Sequence, residues 1–384
     1  MDKNLRDFLD IIRRTVFDGE LTHDGVSEES IRLAREQDVG CLLGRTVNGA
    51  DNPLYYQAAY RGIARESFIA EVTALLEECG IDYILLKGAW IKDLYPEPAL
   101  RTSSDIDILV REDSVDRAAE QLCARLGFRA AVKGFHCIPL YREPTCLELH
   151  YRLDVGNSHM DPTLGRAWEY AVPQSGHRYV FTPEFALFHS VSHTANHLRA
   201  GGCGVRALLD LRLMTDRLAW DEEGLRALLR EAQLERFYDV CRELIDAWFG
   251  PEGVSETPLS PTAERTGEFI LSHKLMGTAE SNVVFRRSDR YANSASARVA
   301  EGERLGRVGY LLRRVFTTRS YLESLYPQLM GKPGILVPWY QMKRWSRMLD
   351  RRTRRRTLHE ARINWRLDPD KIRQTESLLE ELSL

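Results

Sequence analysis

Along residues 1–80 the apolar positions recur every three to four residues, the period of an amphipathic helix. MDKNLRDFLDIIRRTVFDGE is one such pattern. SEESIRLAREQ is a second that opens on a capping serine, and PLYYQAAYRGIARESFIAEVTALLEECG is a long third that closes at Gly80. The period then changes. IDYILLKG is a short apolar run ending in glycine, the pattern of a buried strand. AWIKDLYP predicts about two helical turns stopped by Pro96 and Pro98. SDIDILVR alternates as a second strand, and DSVDRAAEQLCARLG is a capped helix ending at Gly127. FRAAVKG, FHCIPLYRE and TCLELHYRLD are strand-like, with turns at Gly134 and Pro144. From TPEFALFHSVSHTANHL onward the helical period returns, and it persists through TAERTGEFILSH. AESNVVFRRSDRYANSASA has few periodic apolar positions, and a proline-marked stretch precedes the basic run KRWSRMLDRRTRRR. These patterns predict an α+β chain in four parts. Helices occupy 1–80, a small α/β unit 81–155, a second helical region 156–345 and a basic helical tail 346–384.

Composition narrows the class. The chain has 384 residues, ample for a real core, and is 43% hydrophobic and 28% charged with a net charge of −3. So small a total gives no global attraction to nucleic acid or a membrane surface. No apolar run approaches the roughly 18 residues of a membrane span. The N-terminal pattern carries acids throughout and lacks the apolar block of a signal peptide, so a cytoplasmic protein is expected. The seven cysteines are scattered and form no C-x-x-C pair, which fits reduced thiols.

The chemistry concentrates in LLKGAWIKDLYPEPALRTSSDIDILV. Strand alternation puts Asp105 and Asp107 on one face, about 7 Å apart, within an otherwise apolar run. Unpaired carboxylates there carry a desolvation cost, so a cation is required: Arg101, or a divalent metal with its preference for oxygen. An edge strand with its acids in water would read the same in isolation. Three further features bear on the choice. Lys87-Gly88 forms a strand-to-helix turn at which phosphate can approach the backbone. Glu148 lies on a later alternating strand, beside Cys146 and His150 on its face. Arg101, Thr102, Ser103 and Ser104 immediately precede the acids and offer phosphate donors.

The glycine turn, the short helix, RTSSDIDILV and LELH together resemble the DNA polymerase beta-type nucleotidyltransferase superfamily. Within it they resemble the bacterial uncharacterised nucleotidyltransferase family. The resemblance is specific over about 82–152. It is looser to about 345, through FHSVSHTANHL, LLDLRLM and PWYQMKRW. It implies a small mixed-sheet nucleotidyltransferase core flanked by helices. It implies transfer of NMP from an NTP, with ATP the expected donor, to an unidentified acceptor with pyrophosphate release. Asp105, Asp107 and Glu148 would hold Mg²⁺ or Mn²⁺, with Glu148 aiding a metal or acting as base. Lys87, Gly88, Arg101, Ser103 and Ser104 would meet the nucleotide. The wider superfamily has Gly-Ser or Gly-Gly where this chain has Lys87-Gly88, so Lys87 is expected to supply a charge instead. Transfer of the γ-phosphate uses similar metal chemistry. The alternative of another class is a catalytically silent nucleotide-binding regulatory or pathway-accessory protein, for which three mutually repelling carboxylates have no use.

His189, His193 and His197 recur at i, i+4 and i+8 on one helical stripe. They span about 12 Å, too far for one ion to take all three, and no H-E-x-x-H is present. His193 and His197 are candidate acceptor contacts. Arg206 and Asp210 are placed to pair with each other or to reach the cleft. The basic run offers a nucleic-acid reading through counterion release, with Trp339, Tyr340 and Trp345 interleaved. A solvated helix face reads the same.

Overall fold

The computed structural model describes residues 2–273 except 144 and 155, and an interrupted set between 315 and 384 that includes 332–348 and 368–384. Three helices lead in: α1 (Lys3–Arg13), α2 (Glu28–Glu36) and α3 (Pro53–Glu78). Their starts follow the expected chemistry. Ser27 accepts a hydrogen bond from the Ser30 amide, and Asn52 accepts one from the Leu54 amide ahead of Pro53. A small sheet of β1 (Thr22–His23), β2 (Thr46–Val47) and β3 (Ala50–Asp51) lies between them in sequence.

The main sheet has seven strands: β4 (Tyr83–Leu86), β5 (Asp105–Val110), β6 (Arg129–Ala130), β7 (Cys137–Arg142), β8 (Thr145–His150), β9 (Ala171–Ser175) and β10 (Arg178–Phe181). Their spatial order is β6-β7-β8-β5-β4-β10-β9. β5 is therefore central, not an edge. It pairs antiparallel with β4 and parallel with β8, and β10 runs parallel to β4. The sheet extends past the expected 81–155 unit, because the hairpin β9–β10 comes from the region read as helical. Pro173 and the polar stretch Gln174–Arg178 break the alternation that would have marked it.

The helices around the sheet are α4 (Gly88–Ile91), α5 (Val115–Leu126), α6 (Asp161–Leu164), α7 (Pro183–Ala200), α8 (Gly204–Arg217), α9 (Glu222–Glu231), α10 (Glu235–Phe249) and α11 (Pro261–Ser272). α5 ends as expected at Gly127, whose left-handed backbone lets its amide donate to the Leu122 carbonyl. Two cores sit on opposite faces of β5. Ile106, Ile108 and Val110 pack with Val72 and Leu76 of α3 and Leu122 of α5. Leu109 turns to the other face, into a larger core with Phe185 and Phe188 of α7 and Leu208 of α8. Each buried aliphatic side chain contributes about 1.5–3 kcal/mol, which anchors β5 from both sides. Asp105 and Asp107 share the face of Leu109.

Among the described residues no helix is long and apolar enough to cross a membrane. All seven cysteines are free thiols. In the basic run, residues 349–354 and 356 lie outside the described residues, as does AESNVVFRRSDRYANSASA. Within the described helix Val337–Met348, the Trp345 indole donates to the Val315 carbonyl at 2.7 Å.

Candidate active site

The parallel register of β5 and β8 pairs Asp107 with Glu148 and Asp105 with Cys146. On the other side Leu86, the last residue of β4, sits opposite Asp107. Two carboxylates of β5 and one of β8 thus lie near the start of the β4–α4 turn. Asp107 is only 3% exposed, while Asp105 and Glu148 are half-buried.

Asp107 finds its cations in Lys87 and His150. The Lys87 ammonium donates to Asp107 Oδ1 at 2.7 Å, and His150 Nε2 lies 2.8 Å from the same oxygen. His150 Nε2 is also 3.4 Å from Glu148 Oε2. Burial alone would push the Asp107 carboxyl up, but Lys87 and His150 outweigh it and hold it well below the usual carboxylate range. Burial likewise works against the charge of Lys87 and of His150. Asp107 more than offsets it for Lys87, and the hydrogen bonds of Asp107 and Glu148 do so for His150, so both values are raised. The His150 hydrogen bond lowers Glu148. Asp105 takes a hydrogen bond from the Ser103 hydroxyl at 3.1 Å.

Arg101 does not offset the aspartates as expected. Its guanidinium is bidentate to Asp210 of α8, at 2.9 Å from Nε and 2.7 Å from Nη2, and its Nη1 donates to the Thr102 carbonyl. Tyr95 donates to the same Asp210 at 2.8 Å. Arg206 likewise does not pair with Asp210; it donates to the Thr102 hydroxyl at 2.7 Å and lies 3.6 Å from Asp38. The polar loop 101–104 is thereby tied to α8. Arg65 of α3 holds it from the other side, donating to the carbonyls of Ser103 and Asp105. Gly88 is closely packed: a Cβ there would come within 3.0 Å of Arg101 and 3.1 Å of Ser103.

These groups border a cavity of about 320 Å³ between the sheet and α7–α8. Of the residues expected from the sequence to face metal, nucleotide or acceptor, all but Thr102 line it; the Thr102 hydroxyl is taken by Arg206. His189, His193 and His197 form its far wall, with the last two rings edge to face at 4.3 Å. Burial lowers all three, His189 to about 3. One potential ligand group is Asp107, Glu148 and His150, whose ligand atoms lie within 4.8 Å of one another. Asp105 stands outside that group, so the three expected carboxylates do not form one tight cluster among the described residues. Their donor set is oxygen-rich, and three carboxylates face one ammonium and one imidazole, a surplus of negative charge that suits a hard divalent cation.

Sequence reasoning missed two members. His150 was legible, since it follows Glu148 by two on one strand face. Arg65 was not, because nothing in α3 marks which arginine reaches a loop about forty residues on.

No curated protein matches the chain. Two solved structures are similar over part of it. One is the antibiotic-resistance factor ANT(2'')-Ia, at 14% identity and a TM-score of 0.35, over 46% of this chain and 98% of that one. The other is an antigenic nucleotidyltransferase-like protein from Paracoccidioides brasiliensis, at 17% identity and a TM-score of 0.31, over 46% of this chain and 90% of that one. The pattern that defines the uncharacterised nucleotidyltransferase family matches residues 28–250, more than half of the chain, and the chain belongs to that family.

Proposed function

We propose that this protein transfers the NMP of an NTP to a hydroxyl acceptor, a small molecule or a protein side chain, with release of pyrophosphate. The observation that carries the reading is that Asp105, Asp107 and Glu148 line one cavity together with the Lys87-Gly88 turn. Asp105 and Asp107, with Glu148 aiding the metal or serving as base, would hold Mg²⁺ or Mn²⁺, which when bound neutralises phosphate charge and orients an in-line displacement. Ser103, Ser104 and the Gly88 backbone border the space for the phosphates. Glu148, ionised and open to the cavity, receives the acceptor's proton as its oxygen bonds to the α-phosphorus and the bond to pyrophosphate breaks. The neutral imidazoles of His193 and His197 accept hydrogen bonds from acceptor hydroxyls on the opposite wall.

The test is incubation with each α-³²P-labelled NTP, Mg²⁺ or Mn²⁺, and cell extract as the acceptor source. Asp105→Ala is the better control, because Asp105 carries no buried counter-cation, whereas removing Asp107 strands Lys87. Label should pass to extract or protein, and Asp105→Ala should lose at least about a hundredfold in rate. Transfer of label from γ-³²P-ATP alone would instead make the protein a phosphotransferase. Nucleotide binding with no transfer of either label would leave a silent binding protein.

A further inference from the structure

Lys87 turns the chain from β4 into α4 at φ +47° and ψ −126°. Glycine adopts that backbone freely and a side chain does so only under strain. The strained residue is a lysine, and its ammonium lies 2.7 Å from Asp107 Oδ1, with His150 on the same oxygen at 2.8 Å. Paired carboxylates in two-ion phosphoryl-transfer sites are neutralised by two metal ions about 3.5–4 Å apart. Here one oxygen of Asp107 is already held by an ammonium and an imidazole. Asp105, which accepts from the Ser103 hydroxyl, and the second oxygen of Asp107 are left to receive a metal, with Glu148 beside them 3.4 Å from His150.

We infer that Lys87 is a built-in cation standing in for one of two metal ions, so that this site takes a single divalent ion. The inference rests on the nucleotidyltransferase reading for its two-ion frame, while the number of ions bound is read without any transfer. Lys87 is a positioning residue in this scheme. It keeps Asp107 ionised and oriented while the one ion occupies the Asp105 side. The strain at residue 87 is retained because a glycine there would leave Asp107 short of charge.

The experiment counts Mn²⁺ bound per chain, from the EPR signal of the free ion, in the full-length protein. It is done without nucleotide and with one equivalent of α,β-methylene-ATP, which cannot transfer its α-phosphoryl group to an acceptor with loss of pyrophosphate. Wild type should bind one ion and Lys87→Gly two. The variant should also bind its first ion on the order of tenfold more tightly, since a like charge has gone. Lys87→Arg, which keeps the cation, should remain at one. Lys87→Gly suits the backbone of the turn, and circular dichroism verifies its fold. Two ions in the wild-type chain overturn the inference whatever the variant does, as does no ion or an unchanged count in a folded Lys87→Gly. A count of one in wild type and two in Lys87→Gly upholds it even if no NMP transfer is found, so the two readings fail separately.

Discussion

Three imidazoles on α7 face the cavity uncharged. Burial is the main cost of protonating them, and the Lys87 ammonium adds to it. His189 is held at about 3, well below its unfolded value near 6.5. The unfolded chain therefore binds more protons than the native one between those limits, and stability falls as the pH drops below 6.5. His189 alone should cost about 2 kcal/mol on going from pH 7 to pH 5. His150 runs the other way, since its raised value adds stability that is present in acid and lost as pH rises through it. Denaturation midpoints at the two pH values separate these effects. His189→Gln should lose about 2 kcal/mol less than wild type over that interval, and equal losses would refute the assignment.

At the scale of elements, the site depends on a turn pressed against a loop. The β4–α4 turn brings Gly88 against Arg101 and Ser103, and Ser103 in turn holds Asp105. Gly88→Ala forces those side chains back by a few tenths of an ångström. The fold should lose about 1–2 kcal/mol, the scale of overpacking, while the shift at Ser103 should weaken NTP binding measurably by calorimetry. Unchanged affinity together with unchanged stability would show that the loop yields freely. β5 itself explains how two acids fit a greasy strand. Its even-numbered residues serve the core of α3 and α5, and its odd-numbered residues open on the cavity until Leu109 closes it.

Across the whole molecule, the Arg101–Asp210 pair joins the sheet to the helical half. Its members lie 109 positions apart and are 10% and 8% exposed at their side chains. Asp210 also takes Tyr95, so one carboxylate organises the loop before β5 and the floor of the cavity. Asp210→Asn takes the counter-charge from the buried Arg101, with Arg206 nearby keeping only Asp38. The unfolding free energy in denaturant should drop by about 3–5 kcal/mol. A paired Arg101→Met/Asp210→Leu exchange should recover much of that loss. A loss below about 1 kcal/mol in Asp210→Asn would mean that Asp38 and solvent suffice for both arginines.

The sequence by itself determined the α+β class, the strand-turn-helix around Gly88, and the face shared by Asp105 and Asp107. It also placed Glu148 on a strand with the right alternation. These are local properties, set by a period of two or 3.6 residues and by the backbone freedom of glycine. Tertiary structure alone decided that β5 is central, that Glu148 stands level with Asp107, and that β9 and β10 complete the sheet. It also chose the partners: Lys87 and His150 for Asp107, Asp210 for Arg101, and Arg65 for the carbonyls of the loop. Such pairings follow from which buried charges must be neutralised in a shared low-dielectric space, and chain spacing carries no record of that.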